Sequence, residues 1–422
     1  MEAPKIELET VLDELDIAHA REALAEDWEQ SQQWLPTGTP YFLAADYVTE
    51  ACADVWLPGD FVPDLLAAAE VISANQSATA LSWHAHWWMF EADDANIQRV
   101  RSWPRLTHSL GPPGGLLYLL ALLSGVDEMY AIHRDHEVPE DVTRDTLSQI
   151  ALYLRETRER QGYPELTPHL AGWLMNHFTG ILYRLARLQF QFGTSRYRIR
   201  VFRNLQTDQV VALSEDGVRY RPDGQILRDR DPQESAWTAR LRQEGGEITG
   251  FPIHPAGRAL TREIHLDADR WRQVLAPGDP VLHIHIPGGE PMYYERCGEA
   301  FERALEFFPR HFPEREWVAF TCGSWILNTA IRELLREDSN LVRFQREVYL
   351  FPIGLSDDSL PGAIFDEMPE DLSEAPRQTS LQRAYIDAMQ AGGLVTGGGG
   401  CFLLPEDVAW GRQVYLSQEM PW

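Results

Sequence analysis

The chain has 422 residues, of which 44% are hydrophobic and 24% are charged, a composition typical of globular proteins. This length exceeds one ordinary hydrophobic core, so we expect at least two domains. Acidic residues outnumber basic ones 64 to 37, and the formal net charge of −27 repels phosphate backbones and anionic lipid, which disfavours nucleic acid and membrane surfaces as partners.

The first part of the chain is predicted to be helical, because its apolar residues recur at helical spacing. Prolines and glycines between these segments end each pattern. The predicted helices cover residues 6–33, 60–90 (as one helix or two), 116–123, 139–160 and 168–184.

Beyond about residue 185 the hydrophobic period changes to the alternation of strands, first at 188–192, 197–202 and 209–213. The predicted order from residue 281 is strand, helix, strand, helix, strand, glycine turn and strand, at 281–286, 292–308, 317–327, 329–345, 347–353, 397–400 and 401–404. We therefore expect an α+β chain, with a helical domain over 1–185 followed by a mixed α/β domain over 186–422.

The four cysteines, Cys52, Cys297, Cys322 and Cys401, are scattered, which fits reduced thiols better than a disulfide framework. The N-terminus lacks a basic stretch followed by an apolar one, so no signal peptide is predicted. The most apolar run, 116–123, is too short to cross a bilayer. These features predict a cytoplasmic protein.

Two histidines on one predicted strand carry the strongest chemical signal. His283 and His285 are two residues apart, so their rings share one face of the strand. One of them could act as a general base, or both could ligate a metal together with Glu290. Two hydrogen-bonded structural histidines are the alternative. Because helices rather than many short strands flank the pair, we expect no metal.

The residues that follow the histidines could also serve a reaction. Pro287-Gly288-Gly289 leads into the helix at 292–308, whose first N–H groups could hold an anion, although such turns are common as structure alone. On the next strand Cys322 and Ser324 place a thiol and a hydroxyl on one face, with a histidine of the neighbouring strand in plausible reach. A buried packing role is the alternative for the cysteine.

Several spaced motifs resemble one known family. In chain order they are Tyr183 to Phe190, His285 to Pro287, Ala304 with Phe307 and Phe308, Cys322 with Ser324 to Leu327, Ser339 and Asn340 with Phe344 and Gln345, and Ser380 to Arg383. Over about residues 40–404 the chain is similar to bacterial proteins that join an N-acyltransferase N-terminal domain to a GNAT-like C-terminal domain. In the GNAT fold, acyl-CoA lies in a V-shaped opening between two parallel strands.

The resemblance implies an acyl-CoA-dependent N-acyltransferase that moves an acyl group from a CoA thioester to an amine of a small molecule or peptide. His285 would be the general base, with His283 as the alternate. Ser324 or Tyr349 would protonate the departing thiolate. The oligomeric state does not follow from the sequence.

The resemblance also implies that acetyl-CoA or another acyl-CoA is the co-substrate. The residues expected to contact it are Pro287, Gly288, Gly289, Cys322, Trp325 and Asn340. The GNAT phosphate signature, Gln or Arg followed by x-x-Gly-x-Gly/Ala, is absent from this turn. A non-catalytic GNAT-like protein that binds a metabolite or a partner protein is therefore the alternative, and a metal-dependent enzyme is the third hypothesis.

Overall fold

The computed structural model describes residues 6–92, 97–229, 231–356, 364–365, 371–391 and 397–422. The chain forms two compact units. The first comprises Met1–Leu185 and Pro287–Glu290, and the second comprises Ala186–Ile286 and Pro291–Trp422. The short segment Pro287–Glu290 therefore belongs to the first unit, although the chain on either side of it belongs to the second.

The first unit is built from helices around one apolar core. Its regular elements are α1 (Leu8–Glu14), α2 (Arg21–Ala25), α3 (Trp28–Gln33), α4 (Ala45–Asp54), α5 (Val62–Ser73), α6 (Gln76–Phe90), α7 (Ile97–Val100), α8 (Thr107–Leu110), α9 (Leu117–Leu123), α10 (Val126–Asp135), α11 (Glu140–Gln161), α12 (Pro168–Phe178) and strand β1 (Leu182–Leu185). Every residue of α9 is buried, as its continuous apolar sequence requires.

The helical character predicted for this part is confirmed, but two predicted helices were too long. The helix predicted over 6–33 is interrupted at Asp16 and Asp27, whose φ angles of 52° and 59° are left-handed and cannot continue an α-helix. Helix α12 ends at Phe178, and Gly180 follows with φ 65°. Strand β1 replaces the last predicted helical turn, because the chain leaves the helix at this glycine.

One segment of the first unit, Pro112–Asp135, is long and apolar enough to cross a membrane by length and composition. Within its apolar window, 72% is buried inside the protein. A buried core helix passes the same test, so the segment is weak evidence for a membrane span.

The second unit is a mixture of strands and helices. Its regular elements are β2 (Leu188–Thr194), β3 (Ile199–Asn204), β4 (Val210–Ser214), β5 (Arg219–Tyr220), β6 (Trp237–Thr238), β7 (Leu241–Glu244), β8 (Glu247–Gly250), β9 (Pro252–His254), β10 (Arg258–Ala259), β11 (Ile264–Asp267), β12 (Trp271–Leu275), β13 (Pro280–His285), α13 (Tyr294–His311), β14 (Phe320–Ser324), α14 (Ile331–Leu334), α15 (Asn340–Glu347), β15 (Tyr349–Pro352), α16 (Ser380–Gln390), β16 (Gly399–Leu403) and α17 (Val414–Ser417).

The main sheet of this unit contains five of its strands, in the order β2-β13-β14-β16-β15. Strands β13 and β14 are parallel and are joined by α13, because parallel neighbours need a crossover connection. One face of the sheet is apolar and packs against α13. There Phe190, Phe301, Phe308 and Phe320 form ring contacts with centroid distances between 5.1 and 6.1 Å.

A second group of strands is inserted between β2 and β13. It includes a five-stranded sheet, β10-β9-β4-β3-β12, and a three-stranded sheet, β11-β8-β7. Strands β3 and β4 match the alternation seen in the sequence, whereas β5 to β12 were not predicted. Each of these eight has only two to five residues, which is too short for a clear hydrophobic period.

Two predicted elements after α13 were also too long. The strand predicted over 317–327 is β14, and a 3₁₀ turn at Trp325–Leu327 ends it. The helix predicted over 329–345 is two helices, α14 and α15. The break between them lies before Ser339, whose side chain accepts a hydrogen bond from the Val342 N–H and starts α15 as its N-cap.

Candidate active site

Pairing between the two parallel strands at the centre of the main sheet stops before their carboxyl ends. Strand β13 is in register with β14 at Leu282 and His283. Beyond this point β13 stays paired with β2 as far as His285, while β14 stays paired with β16 as far as Ser324. Each strand therefore continues beside its own outer neighbour, and the region between β13 and β14 beyond their last paired residues is called the opening below.

His283 lies where this opening begins. Its Nδ1 is 2.9 Å from the Oγ1 of Thr321, the residue in register with it on β14. Burial lowers the pKa of His283, the positive charge of Arg196 lowers it further, and a backbone hydrogen bond with Thr194 opposes the change. Gly193 leaves room for the ring, since a Cβ there would be 2.6 Å from the imidazole Cδ2. The ring is therefore held in place by its surroundings.

His285 lies further along the opening, on the same face of β13. Its Nε2 is 2.8 Å from the Oε1 of Gln191. An amide oxygen accepts a hydrogen bond, so in the neutral ring Nε2 carries the proton and Nδ1 carries the lone pair. Burial lowers the pKa of His285 to about 4, and the neighbouring His283 contributes. At about pH 7 the ring is neutral, which is the form that can accept a proton.

The pairing predicted between a histidine and Cys322 was wrong. Thr321 shares a face with His283, and side chains alternate along a strand, so Cys322 and Ser324 point to the opposite face of the sheet. Cys322 is 5% exposed and lies in register with Cys401 of β16. Burial raises the pKa of the Cys401 thiol, and the hydrogen bond with Cys322 adds to this.

The hydroxyls of the two residues predicted as proton donors both contact backbone groups, and only that of Tyr349 donates its proton to one. The hydroxyl of Ser324 accepts a 3.4 Å hydrogen bond from the Ile326 N–H at the start of the 3₁₀ turn. Tyr349 is fully buried, and its hydroxyl donates to the Ile253 carbonyl and accepts from the Ala212 N–H at 3.3 Å. Burial also raises the pKa of Tyr349. The structure therefore places the hydroxyl of Tyr349 inside the core, where it donates to a backbone carbonyl.

The predicted phosphate turn, Pro287-Gly288-Gly289, packs on α11 in the first unit. A Cβ on Gly288 would be 3.2 Å from the Glu156 carboxylate, and one on Gly289 would be 2.7 Å from Leu152. Gly289 also has φ 80°, which disfavours other residues. The close approach of the helix and the positive φ thus explain Gly289, whereas at Gly288 a small shift of the Glu156 side chain would make room for a Cβ. The nearby carboxylate disfavours a diphosphate at this turn.

Trp325 and Asn340, which were expected to contact the cofactor, lie after β14. Trp325 is half-buried in the 3₁₀ turn and packs against an apolar cluster that includes Ile331 and Tyr385. Asn340 is half-buried and is the first residue of α15. Apolar packing accounts for the tryptophan, and its position at a helix start accounts for the asparagine.

The metal hypothesis finds no site in the part of the chain that the structure describes. There, no group of three or more His, Cys, Asp or Glu side chains is placed to hold a metal ion. Glu290, the third ligand of the hypothesis, has its Oε1 3.5 Å from the Nη2 of Arg184.

Three residues that surround the histidines were not singled out from the sequence: Gln191, Thr321 and Gly193. A signal for the first was present, because Gln189 and Gln191 alternate with phenylalanines and therefore share one face of β2. That Thr321 rather than Cys322 is the neighbour of His283 could be known only from the register between β13 and β14.

With this geometry, comparisons with known proteins identify the class. Residues 182–402 match the GNAT-like C-terminal domain family, and residues 46–180 match the N-acyltransferase N-terminal domain family. The chain therefore belongs to the proteins that join these two domains, as its motifs predicted. No curated protein matches the chain.

Solved structures of acyltransferases have a similar fold. An acyltransferase in complex with CoA and 10C-teicoplanin has a TM-score of 0.65 at 20% identity, with 94% of this chain and 99% of that chain covered. An acyltransferase in complex with decanoyl-CoA and teicoplanin gives the same four values. A mutant acyltransferase in complex with octanoyl-CoA has a TM-score of 0.64 at 20% identity, and 94% and 98% of the two chains are covered.

Proposed function

We propose that the protein is an acyl-CoA-dependent N-acyltransferase that moves an acyl group from a CoA thioester to an amine. The observation that carries this proposal is the opening between β13 and β14, with His283 and His285 on one of its walls. Membership of the two acyltransferase domain families supports it. So does the similar fold of acyltransferases that were crystallised with octanoyl-CoA and decanoyl-CoA.

In the proposed reaction the amine nitrogen attacks the thioester carbonyl and loses a proton, and the carbon–sulfur bond then breaks. His285 takes the proton, because its ring is neutral and Gln191 fixes which nitrogen carries the lone pair. The imidazolium so formed is acidic, since its pKa is about 4. It can therefore return the proton to the departing CoA thiolate, as one histidine serves as base and then acid in other acyl transfers.

His283 is a positioning residue in this proposal. Its ring is hydrogen-bonded to the Thr321 hydroxyl and to the backbone of Thr194. His283 also lowers the pKa of His285. The proposal does not need Tyr349, whose hydroxyl is bonded to the backbone in the core.

We propose a small molecule or a peptide with an amine as the acceptor. Two acyltransferases of similar fold were crystallised with teicoplanin or its 10C form, which supports an acceptor of peptide character. A bacterial cytoplasm is the proposed location, and the four cysteines, all free and buried, are consistent with a reducing compartment. The net charge of −27 argues against nucleic acid or anionic membranes as partners.

Calorimetric titration with octanoyl-CoA, followed by an assay of CoA thiol release with a peptide amine, tests the proposal. We expect His285→Ala to keep octanoyl-CoA binding and to lower kcat by roughly a hundredfold or more, the usual contribution of a general base. His265→Ala is the matched control, because that histidine is exposed on β11, outside the main sheet. Wild-type protein that binds no acyl-CoA would instead favour a non-catalytic binding protein.

A further inference from the structure

A large polar cavity of about 730 Å³ lies in the second unit, apart from the histidines. Segments far apart in sequence line it, among them the chain before β10 and the chain that enters α14. Four arginines reach it: Arg221, Arg228, Arg258 and Arg332. Such a concentration of positive charge is unexpected in a chain of net charge −27.

Arg332 is a half-buried cation with neutral partners. Its Nε donates to the Gln345 Oε1 at 3.0 Å, and its Nη2 donates to the Gln345 carbonyl at 2.9 Å. Burial lowers the pKa of Arg332 to about 10, and the charge of Arg346 acts in the same direction. No carboxylate forms an ion pair with it among the residues that the structure describes. A charge withdrawn from water without a counter-charge is costly, so an anion in the cavity would stabilise it.

Arg258 is the second lining cation without a carboxylate. It is exposed to the cavity and forms no ion pair or hydrogen bond within the described ranges of the chain. Both guanidinium groups are close enough to His254 to lower its pKa, after burial, which is the larger cause. The two charges therefore act on the same region.

Two of the three lining carboxylates pair with one lining arginine, Arg221. Asp223 forms a two-pronged pair with Arg221, at 3.2 and 2.5 Å, and Asp231 lies 3.8 Å from the same guanidinium. Asp231 also accepts a hydrogen bond from the backbone N–H of Arg228 at 2.8 Å. Glu333 is the third acid of the lining. The two aspartates thus compensate Arg221, and neither forms an ion pair with Arg258 or Arg332 among the residues that the structure describes.

We propose that this cavity binds a ligand through an oxyanion, a phosphate or carboxylate group held by Arg258 and Arg332. Guanidinium groups suit this role because their planar N–H donors match the oxygens of phosphate and carboxylate. The volume is that of a site for a whole small molecule, so the oxyanion is one part of a larger ligand. The oxyanion site is argued from the two arginines, and the two sources considered for its ligand rest on the proposed transfer reaction.

Two sources could supply the oxyanion: the phosphates of an acyl-CoA, or an acidic group on the molecule that receives the acyl group. The first would replace the phosphate signature that the turn after His285 lacks. The second would make the acceptor an amine that also carries an acid.

Calorimetry of the full chain with pyrophosphate and with malonate tests the site. We expect the wild type to bind at least one of the two, and Arg258→Gln to weaken binding about tenfold or more, the loss for a charged hydrogen bond. Arg336→Gln is the matched control, because that exposed arginine pairs with Asp338 and does not line the cavity. Arg332→Gln, if it folds, should weaken binding similarly.

No binding of either probe by the wild type would overturn the proposal, and so would equal affinity of the Arg258→Gln and Arg336→Gln proteins. CoA and pantetheine distinguish the sources. Weaker binding of CoA but not of pantetheine by Arg258→Gln assigns the site to the CoA phosphates. If Arg258→Gln binds CoA as the wild type does but binds pyrophosphate or malonate more weakly, the site belongs to the molecule that receives the acyl group. A wild type that binds pyrophosphate but no acyl-CoA would refute the transferase proposal alone.

Discussion

The close contact between Gly193 and His283 predicts the effect of adding a single methyl group. In Gly193→Ala the new Cβ would lie 2.6 Å from the imidazole Cδ2 and 2.8 Å from Nε2. Carbon atoms in contact settle at about 3.5–4.0 Å, so the ring must move by roughly 1 Å. The hydrogen bond between His283 and Thr321, now 2.9 Å, would then exceed the range in which it contributes.

Two opposing effects set the change in stability. Overpacking of this kind costs about 1–3 kcal/mol, and the lost hydrogen bond costs about 1 kcal/mol. Replacing glycine by alanine in a strand raises the free energy of unfolding by about 0.5–1 kcal/mol, because the unfolded chain loses conformational freedom. We therefore expect the free energy of unfolding to fall by roughly 1–3 kcal/mol. Because His283 positions His285, kcat should fall by roughly ten- to a hundredfold.

Urea denaturation and the release of CoA thiol from octanoyl-CoA measure the two effects. Gly59→Ala is the matched control, because a Cβ there would meet nothing within 4 Å, and both quantities should stay at the wild-type value. A Gly193→Ala protein as stable and as active as the Gly59→Ala protein would show that the ring of His283 does not occupy this space, and the positioning role would fail.

Three further predictions concern buried polar groups. Asp407→Asn removes one partner of a buried 2.7 Å ion pair with Arg203 and should lower the free energy of unfolding by about 3 kcal/mol. The effect should be measured as a lower urea midpoint with an unchanged m-value. An unchanged midpoint would contradict this prediction. Burial, aided by a nearby arginine, lowers the pKa of His84 from an ordinary 6.5 to about 3. Below about pH 6.5 the unfolded state therefore binds a proton that the folded state does not, and the free energy of unfolding should fall by about 1.4 kcal/mol per pH unit towards acid. His84→Gln should reduce this slope. Equal slopes for the wild type and the variant would refute the prediction. Tyr349→Phe should lower the free energy of unfolding by about 1–3 kcal/mol, because the Ile253 carbonyl loses its hydrogen-bond donor, and kcat should stay at the wild-type value. A large loss of kcat at unchanged stability would instead identify the tyrosine as a proton donor.

Local sequence patterns predicted much of the fold. The helical first half, the change to strands near residue 185 and the order of elements around β13, α13 and β14 all follow from periods of 3.6 and 2 residues, which need no knowledge of distant contacts. The shared face of His283 and His285 follows from the same rule. The strands β5 to β12 could not be predicted, because strands of two to five residues form only where a distant partner pairs with them.

The surroundings of the histidines depended on tertiary structure. Register between β13 and β14 is set by pairing across the sheet, and a shift of one residue exchanges the two faces of a strand. For this reason Thr321 lies beside His283, and Cys322 faces the opposite side. Likewise, a Gly-Gly turn has the same sequence whether it approaches a phosphate or a helix, and only the packed structure shows α11 against it.

The sequence by itself thus determined the class of fold, the family and the strand that carries the histidines, because each depends on residues close together in the chain. The tertiary structure alone decided which side chains meet that strand, and it alone assembled the arginine cavity from Arg258 and Arg332, which are far apart in sequence. Contacts of this kind depend on how distant segments pack, and no local period records them.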